Sequence, residues 1–238
     1  MQANYPNLED FKRAIVADVG AVEVIKQSLY DTLIYPLAGV NTLRFFQTPL
    51  GQGAGANGSA QPGNAGAAKH LADTNMDVAG QLPAPQAFWI QSIEVDVQPG
   101  SSAAANTFAL QVPSAFAVAT AAANNPGLTD VNAIYSTGAL VLTIGQKQYL
   151  QEAPLLYFPP KCRFELDLAL NTTSGTVGEV VKGKLKAGGR PYALDPGLGI
   201  MTSMNFDVTL SWPILVPLPT NNAQVRVILD GWLFRAVQ

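Results

Sequence analysis

From residue 92 onward, large apolar residues recur at every second position in one short segment after another. That period constrains the fold more than any other feature of the chain. Ile93, Val95 and Val97 alternate with Ser92, Glu94 and Asp96. Leu140, Leu142 and Ile144 share a face, as do Phe164, Leu166, Leu168 and Leu170. Phe206, Val208, Leu210 and Trp212 repeat the pattern, Val225, Val227 and Leu229 close the series, and Phe108, Leu110 and Val112 give a weaker instance. Successive side chains of a strand point to opposite faces, so each segment sets one face on a core and leaves the other wet. Turn residues separate the segments: Pro99-Gly100, Asn125-Pro126-Gly127, Pro159-Pro160, Gly188-Gly189 and Pro196-Gly197. There is no internal repeat and no alternation of strands with helices, which argues against a parallel α/β fold. The expected fold is mainly β: an antiparallel β-sandwich (jelly roll) of about eight strands, with an N-terminal helical arm and long loops.

The arm is expected over residues 1–40 and a single sandwich domain over residues 41–238, starting with a strand at Leu43–Gln47. Asn7 is a good helix cap, with Asp10 in the first turn. Leu8, Phe11, Ile15, Val19, Val22, Ile25, Leu29 and Leu33 follow at steps of three and four, which predicts one helix over Leu8–Leu33, kinked at Gly20 and ended by Pro36 and Gly39. Its apolar stripe packs on the chain's own sheet, on a neighbouring subunit or against a membrane face. On the second reading, Phe11, Ile15, Val19, Val22, Ile25 and Leu29 are the candidate subunit-interface residues, and Glu9, Lys12, Arg13, Glu23 and Lys26 face elsewhere. At the other end, Gln224–Val237 reads as a buried strand in which Asp230-Gly231 suits a bulge. Three connections are long: Gly51–Pro85, Ala115–Thr137 and Ser174–Ile200. Long connections on a compact domain are usually functional or disordered.

Composition points to a covered surface. Charged residues make up 13% of the chain, about half the usual ~25%. A free monomer normally keeps itself in solution with charge, whereas interface cores are depleted in it. The net charge is -3, and the first 40 residues hold more acidic than basic side chains, so no basic arm for nucleic acid is present. Glu9, Asp10 and Asp18 interrupt any apolar leader, which suggests synthesis and assembly in a cytoplasm.

Candidate chemistry is sparse. Residues 53–58, GAGANG, match G-x-G-x-x-G, but the glycines are followed by SAQPGNAGAAKH, which cannot open a helix that packs on a sheet. The segment reads as a flexible loop from Gly51 to about Ala68. The chain has one histidine, His70, and one cysteine, Cys162, which excludes zinc sites built from several such ligands. No Ser lies in a nucleophile-elbow context. The pairs Glu94/Asp96 and Glu165/Asp167 lie on the polar side of their strands, where carboxylates are solvated. Asp73, Asn75 and Asp77 alternate in a loop and are the best metal candidates, but the glycine and glutamate of the calcium loop are missing. No catalytic activity, cofactor or small-molecule substrate is therefore expected.

The helical N-terminus, the strands from LRFFQ to QVRVILDGWLFRAVQ and the long insertions between them resemble, as architecture, the jelly-roll major capsid proteins of tailless icosahedral bacteriophages. The resemblance implies a virion structural protein that self-assembles through trimers or pentamers into a shell in the host cytoplasm. Its expected partners are itself and other virion proteins, with any contact to an internal membrane or genome made without a basic arm. The alternatives are a carbohydrate-binding sandwich of a phage fibre or lectin type, or a tail or tube subunit.

Overall fold

The computed structural model describes residues 5–56, 68–98, 126–171, 178–187, 189–218 and 222–237. In chain order the elements are α1 (Leu8–Val19), β1 (Val22–Tyr35), β2 (Thr42–Phe45), β3 (Ala87–Gln98), α2 (Pro126–Thr137), β4 (Ala139–Ile144), β5 (Lys147–Glu152), β6 (Cys162–Asn171), β7 (Gly178–Ala187), β8 (Tyr192–Ile200), β9 (Phe206–Ser211) and β10 (Ala223–Ala236). Among the described residues they form two four-stranded antiparallel sheets, ordered β1-β10-β3-β8 and β2-β9-β4-β5, and a separate hairpin, β6-β7. With the hairpin set aside as an insertion, first and last strands pair in one sheet, and second and next-to-last pair in the other. This is the strand order of a jelly roll.

The period-two segments supply the inner faces. Phe88, Ile90, Ile93, Val95, Val225, Val227 and Leu229 of the first sheet meet Phe45, Leu140, Leu142, Ile144, Phe206, Val208 and Leu210 of the second in one buried core. β10 lies between β1 and β3 and pairs with both along nearly its whole length. Its register shifts at Asp230/Gly231, the position expected for a bulge. A β-carbon on Gly231 would sit 1.9 Å from the Trp89 carbonyl oxygen, so the close backbone approach there requires glycine. After the bulge, Leu233 faces the core and Phe234 the outer side, where it joins Phe11, Ile15, Ala87, Trp89 and Met201 in a second cluster beneath α1.

The helix ends earlier than the sequence spacing predicts. Asn7 caps it, its side chain accepting the Asp10 N–H at 2.9 Å, but Gly20, at φ 85°, stops it. Val22–Leu33 is strand, not helix: β1 pairs with β10 from Val22↔Ala236 to Tyr35↔Ala223. The misreading has a simple cause. Ile25, Leu29 and Leu33 are spaced by four, which fits a helical turn and equally fits one face of a strand.

The third long connection also differs from expectation, because Ser174–Ile200 contains β7 and β8. β8 holds Pro196-Gly197, read above as a turn. It is an edge strand, where a proline costs no ladder hydrogen bond, and β3 shifts register opposite it between Ile90 and Ser92. The strand expected at Leu43–Gln47 is β2, which stops at Phe45 because Phe46 turns into the left-handed region at φ 67°. The segment Phe108–Val112 lies outside the described residues.

Candidate functional site

One end of the sandwich is where β1, β5 and β9 finish and β2, β4 and β10 begin. Its loops are built from the apolar, proline-rich stretches PLAGVN (36–41), APLLYFPP (153–160) and WPILVPL (212–218), none of which holds a charge. They are tied together from below. The Tyr35 ring meets Trp212 edge-on at 5.0 Å, and its hydroxyl donates to the Val216 carbonyl at 2.9 Å. The Leu218 N–H donates to the Leu37 carbonyl at 2.8 Å, and the Leu37 N–H to Asn222 Oδ1 at 2.8 Å. Trp212 Nε1 donates to the Ile134 carbonyl at the end of α2, at 3.0 Å. Anchored by these bonds, the loops present apolar side chains to solvent. Leu37 is 41% exposed, Leu156 51%, Tyr157 55%, Ile214 66% and Leu215 55%. Scattered single apolar residues mean little on a surface, but five on the loops of one end make that end the candidate interaction surface.

The candidate interface residues of the N-terminal stripe are divided between two elements. Phe11 and Ile15 are 0% exposed on the chain's own sheet, Phe11 lying 5.1 Å from the Trp89 ring and 5.4 Å from Phe234. Val19 and Val22 pack partly against the same cluster, Ile25 is half-buried on β1, and Leu29 lies in the main core. The helix thus closes the outer face of its own sandwich, and Ile15→Asp would injure the fold directly. Val16 and Val24 are the exposed apolar residues in this region.

Asp73, Asn75 and Asp77 do not converge. Asp73 is buried and accepts the Ala56 and His70 N–H groups at 3.0 and 3.1 Å. Asn75 docks on β1, accepting from Tyr30 N–H at 3.0 Å and donating to the Ser28 carbonyl at 2.8 Å, while Asp77 is exposed. No group of His, Cys, Asp or Glu among the described residues could hold a metal ion.

The described ends of the glycine-rich loop are pinned rather than loose. The Gly51 N–H donates to the Lys69 carbonyl at 2.8 Å, and the Lys69 N–H to the Gln52 carbonyl at 3.0 Å. A β-carbon on Gly55 would come within 2.7 Å of Asp73 Oδ2, so that glycine is not free to vary. Below them Lys69 Nζ meets Asp31 Oδ1 at 2.5 Å, with side chains 1% and 0% exposed. The other oxygen, Oδ2, accepts the Phe46 N–H at 2.7 Å. Sequence reasoning missed this pair because its members lie 38 residues apart in no motif.

The carboxylates on the outer side of the first sheet are likewise engaged, contrary to the solvated reading. Glu94 is buried and accepts the Lys161 N–H at 2.8 Å, and Lys161 Nζ contacts both Glu94 and Asp230. Asp230 also receives Ser28 Oγ at 2.8 Å and Lys26 Nζ at 3.1 Å. Burial alone would raise its pKa, but the hydrogen bonds from Lys161, Ser28 and Lys26 outweigh burial and lower it. A lowered carboxyl pKa contributes stability above the unfolded value of ~3.9, which is lost as pH falls through the folded pKa. Asp230→Asn is therefore expected to flatten the fall in melting temperature below about pH 4, measured by thermal unfolding at a series of pH values. An unchanged acid limb would contradict this. Asp96 is held above the usual carboxylate range by burial, and burial together with Asp96 pushes the Tyr135 hydroxyl up. That hydroxyl serves the sheet edge, donating to the Val95 carbonyl at 2.7 Å and accepting the Val97 N–H at 3.2 Å.

A groove of about 730 Å³ runs beside this network, lined in part by Asn7, Trp89, Gln91, Lys161 and Arg190. Trp89 is only 4% exposed and offers no stacking face, and Lys161 is committed to its two carboxylates. Comparison of the chain with protein-family models, with curated proteins and with solved structures finds no match.

Proposed function

We propose that this chain is a structural subunit of a virion shell, a jelly-roll capsid protein that assembles with copies of itself in the cytoplasm of its host. The observation that carries the reading is the uncharged apolar end of the sandwich, where Leu37, Leu156, Tyr157, Ile214 and Leu215 stand exposed on loops anchored to one another and to the strands beneath them. Such a surface suits burial against a neighbour, because interface cores exclude charge and gain from apolar area. The chain's low charge, 13%, fits a protein much of whose surface is covered. The resemblance of its architecture to tailless-phage capsid proteins supplies the kind of assembly.

The test is a variant confined to that end. Ile214→Asp with Leu215→Asp alters two exposed side chains, and surface changes of this kind usually shift stability by within about ±0.5 kcal/mol each. Expected is a normally melting protein that no longer forms large assemblies, read by sedimentation velocity and electron microscopy. Assembly like that of the unmodified chain would remove this surface from the account.

A further inference from the structure

We propose that Lys69 and Asp31 are joined by an intramolecular amide bond, formed by the folded chain itself. Nζ and Oδ1 are in direct contact, within hydrogen-bond distance of one another. Both side chains are dry, and Asp31 stands on β1 between Leu29 and Leu33, among the residues of the sandwich interior. The two carboxyl oxygens have different roles. Oδ1 faces the amine, and Oδ2 accepts the Phe46 N–H at 2.7 Å. That N–H is aimed by a residue at φ 67°, a conformation a bulky side chain rarely adopts and one that clusters at functional sites. The surroundings fix both partners. Asp31 is bridged to Thr74 through the backbone, and Lys69 is held by two backbone hydrogen bonds to Gly51 and Gln52.

The step balances without any co-reactant. Lys69 Nζ gives a proton to Oδ1, leaving a neutral amine beside a carboxylic acid. Burial favours this exchange, since it pushes the Asp31 pKa up against the pull of Lys69. The Nζ lone pair attacks Cγ, and charge collects on Oδ2, where the Phe46 N–H stabilises it in a buried site. A second proton passes from nitrogen to Oδ1, the Cγ–Oδ1 bond breaks and water leaves. Oδ2 becomes the amide carbonyl, still hydrogen-bonded to Phe46. Holding amine and carboxyl in contact supplies the effective concentration such a condensation needs. The product closes the chain between residues 31 and 69, a restraint on the unfolded state like that of a disulfide but indifferent to reducing conditions.

Intact-mass spectrometry of the purified full-length chain, denatured, tests the proposal whether or not the chain assembles. Expected is a mass lower than the sequence value by one water. Tryptic digestion should then give a branched peptide joining the Asp31 and Lys69 segments, with no cleavage after Lys69. Lys69→Arg keeps the charge but cannot form the bond and should show the full sequence mass. The full mass in the unmodified chain, with the two segments recovered unlinked, would mean an ion pair only and overturn the proposal. So would loss of water that persists in Lys69→Arg.

Discussion

A chain ending at Gln224 is expected not to fold. The missing segment is most of β10, a strand of 14 residues that lies between β1 and β3 and connects them. Val225, Val227, Leu229, Leu233 and Phe234 are all buried, the first four in the main core and Phe234 beneath α1. Burial of each such side chain contributes about 1.5–3 kcal/mol. Together they rival the ~5–15 kcal/mol that separates folded from unfolded states in a typical domain. Their loss would also strip backbone partners from β1 along its length and from one edge of β3, leaving two open edges prone to pair with other chains. The expected result is an aggregating or unfolded product with no cooperative transition in urea or on heating. A soluble truncation with a sharp transition would contradict the assignment of β10 as the central strand.

The second large effect is expected from Lys69→Met, which removes the partner of Asp31 and leaves its carboxyl group buried and uncompensated. Stranding one member of such a buried pair typically costs about 3–5 kcal/mol. The loss should appear as a lower urea midpoint with a similar slope, and as early proteolysis near the glycine-rich loop, whose ends Lys69 helps to pin. Adding Asp31→Asn should recover part of the loss. It removes the stranded carboxyl group yet keeps an oxygen that can accept the Phe46 N–H. Equal stability of the single and double variants would show that the stranded carboxyl group is not what the loss of the lysine costs.

The sandwich was legible because its strands carry one wet and one buried face. β4 coincides with the alternating segment Ala139–Ile144, and the bulge in β10 falls on Asp230-Gly231, where turn chemistry interrupts an apolar run. Two errors came from residues with more than one physical use. A spacing of four from Ile25 to Leu33 satisfies a helix and a strand alike, and only the stop at Gly20 decides between them. Pro196-Gly197 marks a turn in most settings but is tolerated on the exposed edge of β8. The charged pairs were hidden for another reason. Lys161 meets Asp230 and Lys69 meets Asp31 only because the topology brings distant segments together, and no local pattern encodes them. The apolar end is an intermediate case. Its uncharged loops stand in the sequence as PLAGVN, APLLYFPP and WPILVPL, but their gathering on one end follows from the strand order.

Sedimentation of the purified full-length chain, with electron microscopy of the fastest species, tests the central claim most directly. The account predicts closed shells or large symmetric rings in which the loops bearing Leu37, Tyr157, Ile214 and Leu215 lie against neighbouring copies. A protein that stays monomeric at every concentration and salt condition, with those side chains facing solvent, would contradict it.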